Sequence, residues 1–150
     1  MIDFTVTTEI GRPVEEVFAY VTDPSKLATW QTNTVSVVVE NDQPLRLGCR
    51  LREVHRAPGG KKLPSLLEVS AYDPDKTFAL HMLEGALPLD AHISFEPSHV
   101  GTLLSFRVHG QPRGLTRLMQ PLLTRTLRKQ FGQYLQTLKE LLERKPMSKR

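Results

Sequence analysis

Residues 113–144 read RGLTRLMQPLLTRTLRKQFGQYLQTLKELLER, and this stretch decides the fold. Leu115, Leu118, Met119, Leu122, Leu123, Leu127, Phe131, Tyr134, Leu135, Leu138, Leu141 and Leu142 recur at steps of three and four. Such spacing stacks side chains on one face of a 3.6-residue helix, while Arg117, Arg125, Arg128, Lys129, Lys139 and Glu143 fall mostly elsewhere. A stripe so broad needs a large apolar surface to lie against. Pro121 lacks an amide proton and clashes with the turn before it, so the spacing predicts a lead-in over 113–120 and a main helix from Pro121. Gly132 interrupts the helix at a cost of about 1 kcal/mol relative to Ala. Either it permits close packing or is tolerated, or its missing side chain leaves room between the helix and what it covers.

Upstream, the pattern changes from helical to alternating. Phe4, Val6 and Ile10 share one parity of Ile2–Ile10, against Asp3, Thr5, Thr7 and Glu9, as in a half-buried strand. Gly11-Arg12-Pro13 turns into a short helix whose stripe is Val14, Val17, Phe18 and Val21, with Glu15 and Glu16 at its positive end. Asp23-Pro24 closes that helix and opens a second over Ser25–Trp30, Asp as cap and Pro at the first position. The remainder, to Gly110, is strand and turn. Strands are predicted over Thr34–Glu40, Leu47–Arg56, Leu63–Tyr72, Thr77–Glu84, Leu87–Glu96 and Thr102–His109. The turns are Asn41–Pro44, a hairpin tip at Ala57–Lys62, Asp73–Lys76, a break at Gly85, and Pro97–Gly101. Strands joined by short turns are antiparallel. The prediction is an α+β chain with about seven strands, two short helices after the first strand, and a sheet curling around the C-terminal helix.

Length and composition fit one domain, 1–145, with 146–150 as a frayed tail. There is no apolar run of about eighteen residues to span a membrane, and the first residues have neither the basic start nor the apolar core of a secretory signal. Cys49 is the only cysteine. It excludes an internal disulfide and fits a reducing cytoplasm. The net charge is +4, and ten of the 20 Lys and Arg lie from Arg113 onward, beside two Glu. No aromatics alternate with them and no nucleic-acid motif occurs, so the basic residues read as a solvated outer face.

The order of elements resembles the START-like (SRPBCC) helix-grip superfamily, in its polyketide cyclase/dehydrase-type branch. The resemblance rests on Thr8–Pro24 (TEIGRPVEEVFAYVTDP) with Trp30 six residues on, Gly101–Ser105, and the ending Leu138–Glu143. It covers almost the whole chain and implies a cavity between sheet and long helix that holds an apolar small molecule or lipid. Function is less specific, because the superfamily hosts binders, transporters, cyclases and co-chaperones on one scaffold. An empty apolar void of roughly 300 Å³ would cost on the order of 7 kcal/mol, which rivals the whole stability of a domain. Such a space is filled by ligand, by water on polar walls, or by collapse.

Five histidines show no metal-ligand spacing, so no metal or other cofactor is expected. No glycine-rich phosphate loop or serine-hydrolase elbow occurs. Two carboxylates share parity with core positions: Glu53 after Leu47, Cys49 and Leu51, and Glu84 after Phe78, Leu80 and Met82. Facing a cavity, either could be an acid, a base or a polar anchor; near a strand end or past a bulge, either would reach water. His81 and His92 have exterior parity. Trp30 either lines the cavity mouth or simply packs. The expected ligand-contacting set is Trp30, Leu51, Glu53, Leu67, Leu80, Met82, Glu84, Ile93, Phe106, Leu127 and Phe131. Three functions fit: a hydrophobic-ligand binder, a cyclase or dehydratase using Glu53 or Glu84, and an interaction module using the basic helix on an acidic partner.

Overall fold

Alternation along the chain resolves into seven antiparallel strands in a computed structural model, which describes residues 1–40, 45–57, 59–111 and 118–144. Strand β1 (Ile2–Ile10) is followed by helix α1 (Val14–Val21), a 3-10 turn (Pro24–Lys26) and helix α2 (Leu27–Trp30). Strands β2 (Thr34–Val39), β3 (Arg50–Arg56), β4 (Lys62–Asp73), β5 (Thr77–Glu84), β6 (Leu89–Pro97) and β7 (Thr102–Gly110) precede helix α3 (Gln120–Arg144). The sheet order is β1-β7-β6-β5-β4-β3-β2, a meander closed on one side by the first strand. Chain therefore passes from one edge of the sheet to the other through α1 and α2. Helix α3 lies along β1 and touches α2, gripped by the sheet's inner face.

Local chemistry explains the joints. Asp23 accepts from the Ser25 amide at 3.0 Å with Pro24 at the first position of the 3-10 turn, as its cap sequence predicts. Register shifts at Thr34/Ser36, Val69/Ala71 and Leu66/Leu67 add one residue to a strand at each place, which bends and twists the sheet. Strands β5 and β6 pair only from Thr77 to Leu80 against Ser94 to Ala91, then part. Where they part, Asp90 Oδ1 accepts from the Met82 amide at 3.3 Å and meets His81 Nδ1 at 2.8 Å. Beyond these contacts the strands leave space on the inner face.

Three departures from the sequence reading have physical causes. Strand β3 begins at Arg50, not Leu47: Leu47 is exposed in a turn that places Gly48 at φ +88°. Glu84 is exposed because Leu83 is the extra residue of a bulge. Glu84 then stands opposite Leu66, whose other neighbour is the exposed Arg52, on the outer face. The apolar stripe of the helix is narrower than its sequence pattern, for Leu118, Met119 and Leu122 are exposed and the helix starts at Gln120. Of the alternatives left open for Gly132, close packing drops out, since a Cβ there would meet nothing within 4 Å. The predicted turn at Asn41–Pro44, most of the lead-in before Gln120 and the tail 146–150 lie outside the described residues.

The C-terminal half of α3 is locked to the loops beneath it. Tyr134, Leu135, Leu138 and Leu142 are buried. Arg12, itself buried, donates from Nε to the Leu142 carbonyl at 2.8 Å, satisfying an end-of-helix acceptor with a cation. Glu143 accepts from the Gly11 amide at 2.8 Å and from Lys139 at 2.7 Å, and these donors hold its carboxyl below the usual carboxylate range. Thr102 donates to the Arg12 carbonyl at 2.8 Å. Gly101 completes the joint: at φ +149°, a Cβ would lie 2.5 Å from the Ile10 carbonyl oxygen, so only glycine fits. Some of the basic residues of α3 serve the chain itself, Lys139 donating to the Glu9 carbonyl at 2.8 Å and Arg128 lying over the Phe4 ring at 5.7 Å.

Candidate functional site

The N-terminal half of α3 has no buried residue before Tyr134, and beneath it lies a partly open cavity of about 630 Å³. Its walls come from the inner face of β3 to β7, from α2, and from Leu123, Leu127, Gln130, Phe131 and Tyr134 of α3. Most of the lining is apolar: Leu67, Phe78, Leu80, Met82, Leu89, Ile93, Phe106 and Val108 among others. Phe131 marks the boundary with the locked half, its ring 5.1 Å from both Phe106 and Tyr134. The exposed lining residues Arg56, Ala86, Thr126, Lys129 and Gln133 mark the opening. Closed and dry, a void of this size would cost on the order of 15 kcal/mol, more than a domain's stability. It is therefore a place for water or ligand.

One wall of this apolar space is polar. Period-two alternation puts Leu51, Glu53 and His55 of β3 on the inner face, opposite Leu67, Ser65 and Leu63 of β4. Glu53 is only 4% exposed, and its Oε1 lies 3.0 Å from His55 Nε2. Nearby, Gln130 donates to the Tyr134 hydroxyl at 2.7 Å. Burial pushes the Tyr134 phenol up to about 12; the Glu53 charge adds to the shift, while hydrogen bonds from Gln130 and Asn33 oppose it. Tyr134 is thus a neutral hydroxyl at physiological pH. Two further lining groups, Trp30 Nε1 and Ser65 Oγ, are buried and have no hydrogen-bond partner among the described residues. A buried donor without a partner costs about 1–3 kcal/mol unless a ligand or water satisfies it.

Of the residues expected at a ligand, Trp30, Glu53, Leu67, Leu80, Met82, Ile93, Phe106, Leu127 and Phe131 line the cavity. Trp30 combines both of its alternatives, being fully buried, 6.3 Å from the Phe106 ring, and part of the wall. Leu51 does not line it: the side chain points inward as its parity requires, but it is fully buried within the core cluster. Glu84 does not line it either, carried to the outer face by the bulge at Leu83. His81 and His92 are exposed. Sequence reasoning missed His55 and Ser65, although each shares parity with its inward neighbours, and it missed Asn33 and Gln130, which carry no local signal. Among the described residues no three His, Cys, Asp or Glu side chains gather as a metal cage. Nor is any helix there long and apolar enough to cross a membrane.

A family model described as polyketide cyclase/dehydrase and lipid transport matches residues 1–143. The chain belongs to this family. As a polyketide cyclase/dehydrase-family chain it has the helix-grip fold, and solved structures agree. Protein NE0264 of Nitrosomonas europaea superimposes with a TM-score of 0.76 at 21% identity, covering 95% of each chain. The di-domain aromatase/cyclase StfQ of the steffimycin biosynthetic pathway gives 0.78 at 18% identity, covering 95% of this chain and 51% of that one. Aha1 of Colwellia psychrerythraea, solved as a dimer, gives 0.66 at 18% identity, with 95% and 97% covered. At these identities the likeness is one of fold. A comparison with curated proteins found no match.

Proposed function

We propose that this chain binds a hydrophobic small molecule or lipid between the sheet and the N-terminal half of α3, as a carrier or sequestering protein. The observation that carries the reading is the cavity of about 630 Å³, apolar on most sides and polar at the Glu53 wall. That size lies within the range of small-molecule sites, and a few convergent polar groups in an apolar pocket are what orients a ligand. A cytoplasmic location accords with a single cysteine. The test is a fluorescence titration with N-phenyl-1-naphthylamine, a neutral apolar probe. Saturable binding of one probe per chain is expected, with folding stabilised by about 2.7 kcal/mol at a hundredfold excess over Kd. A folded protein that takes up no probe contradicts the reading.

The Glu53–His55 contact supports a second reading, proton transfer on an aromatic or polyketide-like substrate in a cyclase or dehydratase. Glu84, on the outer face, has no part in it. Under this reading Glu53→Gln stops turnover of such a substrate while the protein stays folded; under the carrier reading there is no turnover to lose.

A further inference from the structure

The register of the sheet gathers several loops at one end of the molecule. Pairing of Ile2 and Leu89 with Gly110, of Glu84 with Leu66 and of Arg56 with Lys62 brings Met1, the β3–β4 tip and the β5–β6 loop there. Gln120 donates to the Met1 carbonyl, so α3 starts at this end, while its last turn lies at Gly11. Here Leu118 is 83% exposed, Met1 61%, Leu122 57% and Met119 51%, four of the nine large apolar side chains exposed among the described residues. Exposed apolar side chains scattered singly need no explanation, but a group does. Cations follow them along the helix. Leu118, Leu122, Arg125 and Lys129 are spaced four, three and four apart, which aligns them on the face turned away from the buried Tyr134 and Leu138. At 1.5 Å per residue, Lys129 stands about 10 Å behind Leu122. Lys129 also lines the cavity opening, as does Arg56, which is paired with Lys62 across the β3–β4 hairpin. Arg56, Lys61, Lys62, Arg125 and Lys129 are exposed and make no ion pair among the described residues. Of the described carboxylates at this end, Glu53 is buried against His55, Asp3 pairs with Arg107 and Asp90 with His81. Glu84 alone is exposed without an ion pair among the described residues.

From this we infer that the end bearing Leu118, Met119 and Leu122 docks on an anionic lipid bilayer, with the cavity mouth beside the membrane. Apolar side chains at the helix tip reach the acyl boundary, and the cations behind them meet the lipid phosphates. A second copy of the chain is a poor occupant, because a two-fold contact would set Arg125 and Lys129 against their own kind. The choice of a bilayer over an acidic protein rests on the carrier reading, since an apolar cargo partitions out of water into membranes.

The experiment sediments the full chain with vesicles of phosphatidylcholine alone or with about a third phosphatidylglycerol. Binding to the anionic vesicles is expected to be about tenfold or more tighter than to phosphatidylcholine, and to weaken as salt is raised. The double variant Leu118→Ser/Leu122→Ser keeps every charge and should bind about tenfold more weakly, because two leucines no longer bury apolar area. Arg125→Gln/Lys129→Gln should lose about twentyfold. Lys76→Gln, in the turn at the far end of β5, and Val38→Ser, on the edge strand β2, should stay within about twofold of wild type. All the replaced side chains are exposed, so the variants fold, which circular dichroism checks. Binding lost with the cation pair but kept with the leucine pair overturns the inference, because the chain then adsorbs only as a basic protein does. No binding to anionic vesicles overturns it as well, as does a dimer in sedimentation equilibrium that the leucine pair dissociates. N-phenyl-1-naphthylamine in vesicle-free solution reports the cavity separately. Probe uptake without docking leaves the carrier reading standing, and docking without uptake removes that reading while the surface remains.

Discussion

The two halves of α3 differ in what they face although their sequences share one apolar periodicity. From Tyr134 to Arg144 the stripe is buried apart from the half-buried Leu141, and the helix end is tied to Gly11, Arg12 and Glu9 by hydrogen bonds of about 2.8 Å. From Gln120 to Phe131 the same kind of stripe is half-buried or exposed, and it roofs a cavity. Leucine repeats every three or four residues in both. Periodicity thus identifies the face a helix turns toward the protein, not whether that face meets side chains or a hollow. One half serves stability and the other leaves room for a guest.

Substitution along the helix tests this division. Leu138→Ala removes a fully buried side chain from the locked half and should cost about 3 kcal/mol in denaturant unfolding. Leu127→Ala, in the roof, should cost only about 1 kcal/mol, because it enlarges a space already open; its larger effect should be weaker uptake of the apolar probe. Equal costs at the two sites would erase the distinction.

Tyr134 stands at the boundary, and alkaline unfolding examines it. Its pKa is raised from 10.0 to about 12 in the folded chain, so the folded state favours the protonated phenol. The corresponding stability is present below about pH 10, where the unfolded tyrosine is also protonated, and is lost as pH rises toward 12. Unfolding free energy should therefore fall by on the order of 2 kcal/mol more in wild type than in Tyr134→Phe across that window. Parallel profiles would show that the phenol is not held neutral by burial.

The smallest effect is a gain. Gly132→Ala should stabilise the chain by roughly 0.5–1 kcal/mol, since alanine is the better helix former and its Cβ meets nothing within 4 Å. Destabilisation would mean that the helix approaches a neighbour more closely there.

Much of the architecture was legible in the sequence, and the reasons are local. Alternation in Ile2–Ile10 and the Asp23-Pro24 cap gave their elements directly, and Pro121 fell in the first turn of a helix that begins at Gln120. What escaped depended on register and on distant neighbours. The residue inserted at Leu83 turned Glu84 outward, and Gly85 marked only the end of the strand, not the bulge before it. Gly48, by contrast, did mark the turn that shortens β3, and Leu47 merely mimicked alternation before it. At the candidate site, Glu53 was visible from parity, and His55 equally so had the alternation been followed one step further. The unpartnered state of Trp30 and Ser65 is a property of three-dimensional surroundings and leaves no trace in the chain's own order.

Hydrogen exchange along α3, with and without saturating N-phenyl-1-naphthylamine, most directly tests the claim that one half of the helix covers a guest. Amides from Gln120 to Phe131 should exchange more slowly when the ligand is present, while those from Tyr134 to Arg144 should keep the slow exchange they already have. Protection confined to the C-terminal half, or no change anywhere under conditions where binding is saturated, would contradict it.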